Sequence, residues 1–406
     1  MQANPILTKV FDIFPEPLKS KVGERTYEFV MGTRAAIMGA EYHEVHLEGD
    51  RVIKYYEIDK GRDETILFLH GFADSKETFF DAAAHLSDDY NIICPDLPGF
   101  GKSFKRRNDK YSIDNYAFWL RDFMEEINLN RCHIAGNSLG GAIALRLAIL
   151  TPQKFRTLTL VDPAGVFIPE PYSLHHELFD GHIIFEVHNK DEFEYFLRRV
   201  FNKKPFMPYP VNEFIYKEFS KHSTWHRKVL GDLLNGVKSV NDPNLDQMAL
   251  NKYLKDLQLP TFLIWGEDDS FFPKETALCM YQDIEDCQIH FLSDIGHCPQ
   301  IENPKLFAKT FKKYLHQQII RLSIRDKQMQ YDDVYEDGQV KRVPAKLDGT
   351  SSRERAKSVR ASKGKAKRAT KSSKKKPAKK KTAKKAVSPN KTTAKKPRLK
   401  PKKNSA

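Results

Sequence analysis

Short apolar runs recur between residues 66 and 292, each bounded by polar or turn-forming residues. Ile66-Leu67-Phe68-Leu69, Asn91-Ile92-Ile93-Cys94, Cys132-His133-Ile134-Ala135, the run closing at Leu160-Val161, Thr261-Phe262-Leu263-Ile264-Trp265 and Gln288-Ile289-His290-Phe291-Leu292 all read as strands. Runs this short and this apolar suit strands buried on both faces. Helical patterns separate them, as in the stretch from Gly141 to Ala148. Strand and helix in alternation predict an α/β class, with a mostly parallel central sheet flanked by helices. The alternation breaks between residues 166 and 255. That stretch is dense in large apolar groups, among them Phe167, Leu174, Leu178, Phe185, Phe193, Phe196, Phe206 and Phe219. At the N-terminus, Leu7, Val10, Phe11 and Phe14 share one helical face. That helix is too short to cross a bilayer and lacks the features of a signal peptide. It is expected to dock on the protein's own surface, with contact to a membrane surface as the alternative. No apolar run approaches eighteen uncharged residues, so no transmembrane segment is expected.

Chemistry enters where strand gives way to turn. Gly136-Asn137-Ser138-Leu139-Gly140 joins the strand at 132–135 to the helix that follows. A strand, a Gly-x-Ser-x-Gly turn and a helix in that order make a nucleophile elbow. The serine sits in a strained conformation with its hydroxyl exposed, and a side chain at either flanking glycine would collide with strand or helix. The Leu139 amide then points to the same spot as the helix start, which favours developing negative charge. His70-Gly71-Phe72 closes the strand at 66–69 and places the Phe72 N–H as a second oxyanion donor. His70 precedes the nucleophile and is read as bracing the loop. Asp96, in the turn from Asp96 to Ser103, is likewise read as architectural.

Downstream, Trp265-Gly266 leads into three adjacent carboxylates, Glu267, Asp268 and Asp269, and Gly296-His297-Cys298-Pro299 follows the last strand. Ser138, then one of these carboxylates, then His297 is a catalytic order of nucleophile, acid and base. Asp162, in Asp162-Pro163-Ala164-Gly165, ends the strand after the elbow helix and is the rival acid.

Taken together these motifs resemble the α/β-hydrolase family, in particular small bacterial lipases and monoacylglycerol-lipase-type esterases, over residues 40 to 318. In the resembling pattern Trp-Gly-x-x-Asp, the acid is the third residue after the glycine, hence Asp269. The resemblance implies cofactor-free hydrolysis of an acyl ester by Ser138, Asp269 and His297, with Phe72 and Leu139 as oxyanion donors. A serine nucleophile sets the chain apart from epoxide hydrolases and haloalkane dehalogenases, which use aspartate. The stretch 166–255 then corresponds to a helical cap inserted after the sixth strand, its apolar groups suited to an acyl-chain tunnel. A carbon–carbon bond hydrolase of ring-cleavage products shares the same motifs and stays open as an alternative.

Charge divides the chain. The whole carries a formal +14, yet residues 351–406 hold 24 Lys/Arg against one acid, Glu354, while the remainder is net −9. The Lys-rich segment cannot bury enough surface to offset its ordering entropy and is expected to be disordered. Its composition is similar to the tails of linker histones and bacterial histone-like proteins. It is expected to meet a polyanion: nucleic acid, an anionic membrane or polyphosphate. A body acting mainly as a polyanion-binding scaffold is the non-enzymatic alternative. The implied organisation is an N-terminal helical segment at 1–40, core at 41–165, cap at 166–255, core at 256–318, polar linker at 319–350 and tail at 351–406. Five cysteines without CxxC spacing suggest reduced thiols in a cytoplasmic protein. His175, His176 and His182 match no standard metal-site spacing, so no metal is expected.

Overall fold

The computed structural model describes residues 16–239, 241–329, 331–336 and 339–344. The N-terminal pattern at 7–14 and the Lys-rich tail at 351–406 lie outside the described residues. In chain order the elements are α1 (Glu16–Met38), β1 (Glu41–Leu47), β2 (Arg51–Ile58), β3 (Thr65–Leu69), α2 (Phe80–Ala83), β4 (Asn91–Pro95), α3 (Ile113–Glu126), β5 (Cys132–Asn137), α4 (Leu139–Leu150) and β6 (Phe155–Val161). There follow α5 (Leu174–Phe179), α6 (Lys190–Val200), α7 (Tyr209–Lys221), α8 (Ser223–Leu234), α9 (Leu245–Met248), β7 (Thr261–Gly266), α10 (Lys274–Asp283), β8 (Cys287–Leu292), α11 (Pro299–Glu302) and α12 (Pro304–Met329). The described part ends in a hairpin of β9 (Tyr331–Glu336) and β10 (Gln339–Pro344), paired antiparallel.

Eight strands form one sheet in the order β1-β2-β4-β3-β5-β6-β7-β8. The pairings β1–β2 and β2–β4 are antiparallel, and all those from β4 through β8 are parallel. The sequence pattern follows from burial on both faces. In β3, Leu67 and Leu69 join the core beneath α3 and α4, while Ile66 and Phe68 join the core on the other face. There Phe68 stacks on Phe79 at 4.4 Å and meets Phe311 of α12 at 5.8 Å. Neither face of β3 sees water, so no polar alternation survives. In α4, Ala142, Ile143, Ala144, Leu145, Leu147 and Ala148 are all buried, so this central helix is apolar nearly all round.

Between β6 and β7 lie α5 to α9. Asn189 caps α6 by accepting from the Glu192 N–H. Phe193, Phe196 and Phe219 pack on one another across α6 and α7. α1 lies against α7, where a Cβ at Gly23 would sit 2.4 Å from the Pro210 carbonyl oxygen, so only glycine permits this approach. Within the stretch read from the sequence as a polar connector, the described residues are the end of α12, which runs to Met329, and the β9–β10 hairpin. Leu322 is buried one heptad beyond buried Leu315, while Ile320 and Ile324 on the same helix are exposed.

Candidate functional site

The parallel strands end along one edge, and the site is assembled from the loops that leave them. At the end of β5, Ser138 has φ 54° and ψ −118°, a conformation that a non-glycine residue holds only under strain. The surrounding backbone enforces it. Ser138 N–H donates to the Val161 carbonyl at 3.0 Å, and its own carbonyl accepts from the amides of Ala142 and Ala164. A Cβ at Gly136 would lie 2.2 Å from the Gly140 carbonyl, and one at Gly140 2.2 Å from the Leu69 carbonyl. Both flanking glycines are therefore steric necessities. Ser138 is half-buried, so its hydroxyl remains reachable.

Leu139 starts α4, where no carbonyl one turn earlier exists to take its N–H. The Phe72 loop lies alongside, since a Cβ at Gly71 would sit 3.4 Å from the Ser138 Cβ. His70 is the brace of that loop. It is buried, its Nδ1 donates to the Gly71 carbonyl at 2.8 Å, and its Nε2 accepts the Leu97 N–H at 2.9 Å. Those two bonds require the neutral ring, and burial pushes its pKa down accordingly. Asp96 ties the next turn. Its carboxylate accepts from Lys76 N at 2.8 Å, Lys76 Nζ at 2.9 Å and Lys102 N at 2.7 Å.

The turn after β7 presents Asp269. Its Oδ2 accepts from His297 Nδ1 at 2.9 Å and its Oδ1 from the Phe271 N–H at 2.8 Å. The side chains of His297 and Asp269 are only 4 % and 1 % exposed. Glu267 and Asp268 are exposed, and Asp268 accepts from Asn202 Nδ2 at 2.9 Å. Asp162 is wholly buried beside Asp269, and its Oδ1 accepts the Gly266 N–H at 2.9 Å. His297 belongs to the turn after β8, pressed so closely on the Asp269 turn that a Cβ at Gly266 would lie 2.0 Å from the Gly296 carbonyl.

The structure thus joins Asp269 to His297 directly and holds His297 next to the elbow through its main chain. Asn137 Nδ2, one residue before Ser138, donates to the His297 carbonyl at 3.0 Å. The Ser138 and His297 side chains make no hydrogen bond with each other here. Such contacts commonly tighten only when substrate is bound.

Sequence reasoning did not find the polar struts around these groups. Arg199 on α6 grips Glu177 through two bonds and also donates to the Ser270 carbonyl at 2.8 Å, while Ser270 Oγ returns a bond to the Arg199 carbonyl. His297 N–H donates to the Val200 carbonyl at 2.9 Å, so the end of α6 holds both the acid turn and the base turn. Gln300 Nε2 donates to Asn137 Oδ1 at 3.1 Å. The one legible signal was the polar Asn137 inside an otherwise apolar strand end.

Ser138 opens on a small cavity of about 80 Å³. Its walls are apolar, with Phe72, Leu139, Phe167, Leu174, Phe185 and Phe272 contributing. His175 also lines it, stacked 4.1 Å from Phe167 and tilted against Phe272 at 4.9 Å. Burial drives that imidazole down to a pKa of about 3, leaving it neutral and effectively another flat apolar wall. His176 is used differently, in the capping box of α5 with Ser173. A larger groove of about 630 Å³, between α1, α7 and the turn at 99–105, contains none of Ser138, Asp269 or His297.

Residues 64–205 match the family model described as the alpha/beta hydrolase fold. Lipase 3 of Moraxella sp. (strain TA144) is 30 % identical over 268 residues, covering 66 % of this chain and 81 % of that one. Lipase 1 of Psychrobacter immobilis is 28 % identical over 268 residues, again 66 % and 81 %. Among solved structures, a bacterial membrane phospholipase A superposes with a TM-score of 0.68 at 26 % identity, over 73 % of this chain and 92 % of that one. Among the described residues, no helix is long and apolar enough to cross a membrane.

Proposed function

This chain belongs to the α/β hydrolase fold family, and from that premise we propose that it is an ester hydrolase using Ser138, Asp269 and His297 on apolar acyl esters. The observation that carries the reading is the 2.9 Å bond from His297 Nδ1 to Asp269, held next to a strained, half-buried serine that lines an apolar cavity. Asp269 keeps the proton on Nδ1, which leaves Nε2 free to accept the Ser138 proton as Oγ attacks the ester carbonyl. Charge developing on the carbonyl oxygen falls to the Phe72 and Leu139 amides, each worth about 3 kcal/mol in comparable sites. His297 then protonates the leaving alcohol. Water, deprotonated by the same nitrogen, releases the acid from Ser138. The relatives named as lipases favour a lipid-like ester, and the apolar lining around Ser138 supports that class.

The test is a series of p-nitrophenyl esters of increasing acyl length, run with wild type and Ser138→Ala, beside a ring-cleavage dienoate. At about 0.8 kcal/mol per buried methylene, kcat/KM rises roughly fourfold per carbon until the cavity is full. Ser138→Ala loses activity by at least about 10³-fold. Turnover of the dienoate alone would move the reaction to carbon–carbon cleavage, and an active Ser138→Ala would remove the serine mechanism.

A further inference from the structure

Asp162 is a buried carboxyl that the mechanism above does not use. It follows β6 with φ 44°, another left-handed conformation in a residue that is not glycine. Its main chain is pinned by its N–H donating to the Ile264 carbonyl at 3.1 Å. Its carboxyl is fully enclosed, so water cannot serve it. Oδ1 has a donor, the Gly266 N–H at 2.9 Å. Oδ2 has none: no neighbouring N–H or O–H reaches it. What the Asp162 carboxyl meets instead is the carboxyl of Asp269.

Two carboxylates facing each other in a dry site cannot both be ionised, so one proton lies between them. The surroundings decide which keeps it. Asp269 is bonded to the His297 ring N–H and to the Phe271 N–H, two donors that favour its anion. Asp162 has one donor and no cation, and the other acid near it, Glu302, adds to the negative field. Burial first, then the Asp269 charge, push the Asp162 pKa well above the ordinary carboxylate range. Glu302 itself is occupied, accepting from Gly296 N at 2.7 Å and Lys203 N at 2.8 Å.

We propose that Asp162 is a protonated positioning residue, donating its O–H to the carboxylate of Asp269 and so fixing the acid that orients His297. This rests on the Ser138–Asp269–His297 reading and extends it by one group. The Gly266 bond holds Oδ1, which leaves Oδ2 as the Asp162 atom free to carry the proton towards Asp269. It also explains how two acids can occupy the ends of neighbouring strands without repulsion.

The discriminating pair is Asp162→Asn and Asp162→Ala, with Asp269→Asn and Ser138→Ala as controls. Asparagine is the shape of a protonated aspartate, its amide oxygen accepting from Gly266 and its NH₂ donating to Asp269. Asp162→Asn is therefore expected within about threefold of wild type in kcat, whereas a lost hydrogen bond to a charged group in Asp162→Ala lowers kcat about 10- to 100-fold. KM stays unchanged. In Asp162→Ala the acidic limb of the pH–kcat profile moves to higher pH, because Asp269 without its donor holds the imidazolium more strongly. Infrared difference spectra of wild type against Asp162→Asn should show a protonated-carboxyl C=O band at neutral pH that vanishes in the variant. A folded Asp162→Asn as crippled as Asp269→Asn would mean that Asp162 is the working anion and would overturn the proposal. So would the absence of the infrared band, an unchanged Asp162→Ala, or a loss in Asp162→Ala without the pH shift. Activity surviving in Ser138→Ala would instead strike the serine mechanism, whatever Asp162 does.

Discussion

Replacing Asp269 by asparagine changes one atom and leaves the histidine no good option. The carboxylate accepts two N–H bonds, from His297 Nδ1 at 2.9 Å and from Phe271 at 2.8 Å. An amide can accept only at its oxygen. If that oxygen faces His297, the NH₂ is driven against the Phe271 N–H, donor against donor, in a site where the partners are 1 % and 4 % exposed and water cannot intervene. If the amide turns over, the Phe271 bond survives, but the NH₂ now points at Nδ1. The ring must then take the tautomer with its proton on Nε2, which cannot accept from Ser138. The second arrangement keeps both the Phe271 and the His297 contacts and is the one to expect. Losing both the tautomer and the charge that stabilises the imidazolium costs about 10⁴-fold in kcat in comparable triads, or about 5 kcal/mol of transition-state stabilisation. The assay is steady-state hydrolysis of a p-nitrophenyl ester, with the melting temperature measured alongside to show that the fold persists. Asp268→Asn, at an exposed carboxylate, should stay within about twofold, as expected for a surface change. An Asp269→Asn enzyme within tenfold of wild type would refute the assignment of the acid.

Two further outcomes can be measured on the same preparations. His175 is buried with its folded pKa lowered to about 3, against about 6.5 in an unfolded chain. A group depressed in this way contributes stability above its unfolded pKa and loses it as pH falls through that value towards the folded one. Each unit lost in that window costs about 1.4 kcal/mol. His175→Phe should therefore soften the decline in stability between pH 6.5 and 5 by about 2 kcal/mol relative to wild type. Parallel slopes in denaturant titrations would refute this. Removal of residues 351–406 takes away 24 Lys/Arg and leaves a net acidic body. Small-ester turnover and melting should be unchanged, while binding to DNA or anionic vesicles at low salt disappears. Binding by the full chain should fall steeply as salt rises, and equal binding by both forms would refute an electrostatic role for the tail.

The strands and the elbow were legible because each leaves a local mark in the sequence. A strand covered on both faces loses its polar alternation, as Ile66 to Leu69 do between two cores. A strained nucleophile demands absent side chains, and Gly136 and Gly140 record that demand. Gly266 records the same demand where the acid and base turns touch, and Gly296 where the base turn meets Val200 and Asn202 at the end of α6. The apolar surplus at 166–255 was legible only as a total. The fold divides it, sending Phe193, Phe196 and Phe219 to pack on one another and Phe167, Leu174 and Phe185 to the cavity, while Phe206 is left exposed.

Contacts between residues far apart in sequence leave no such mark. Arg199 and Ser270 are 71 residues apart, Asn137 and His297 160 apart, and nothing in the local spacing of either pair announces its bond. Asp162 shows the limit most clearly. Its position at a strand end made it a rival to Asp269, since sequence shows a carboxyl but not its protonation state. That state depends on burial, on the single donor at Gly266 and on the second acid across the gap, and all three exist only once β6 and β7 lie side by side. Chain position ranks candidates for a catalytic role, but the count of donors around each acid assigns the charge. By that count Asp269, with two donors of which one is the His297 ring, carries the anion, and Asp162 carries the proton.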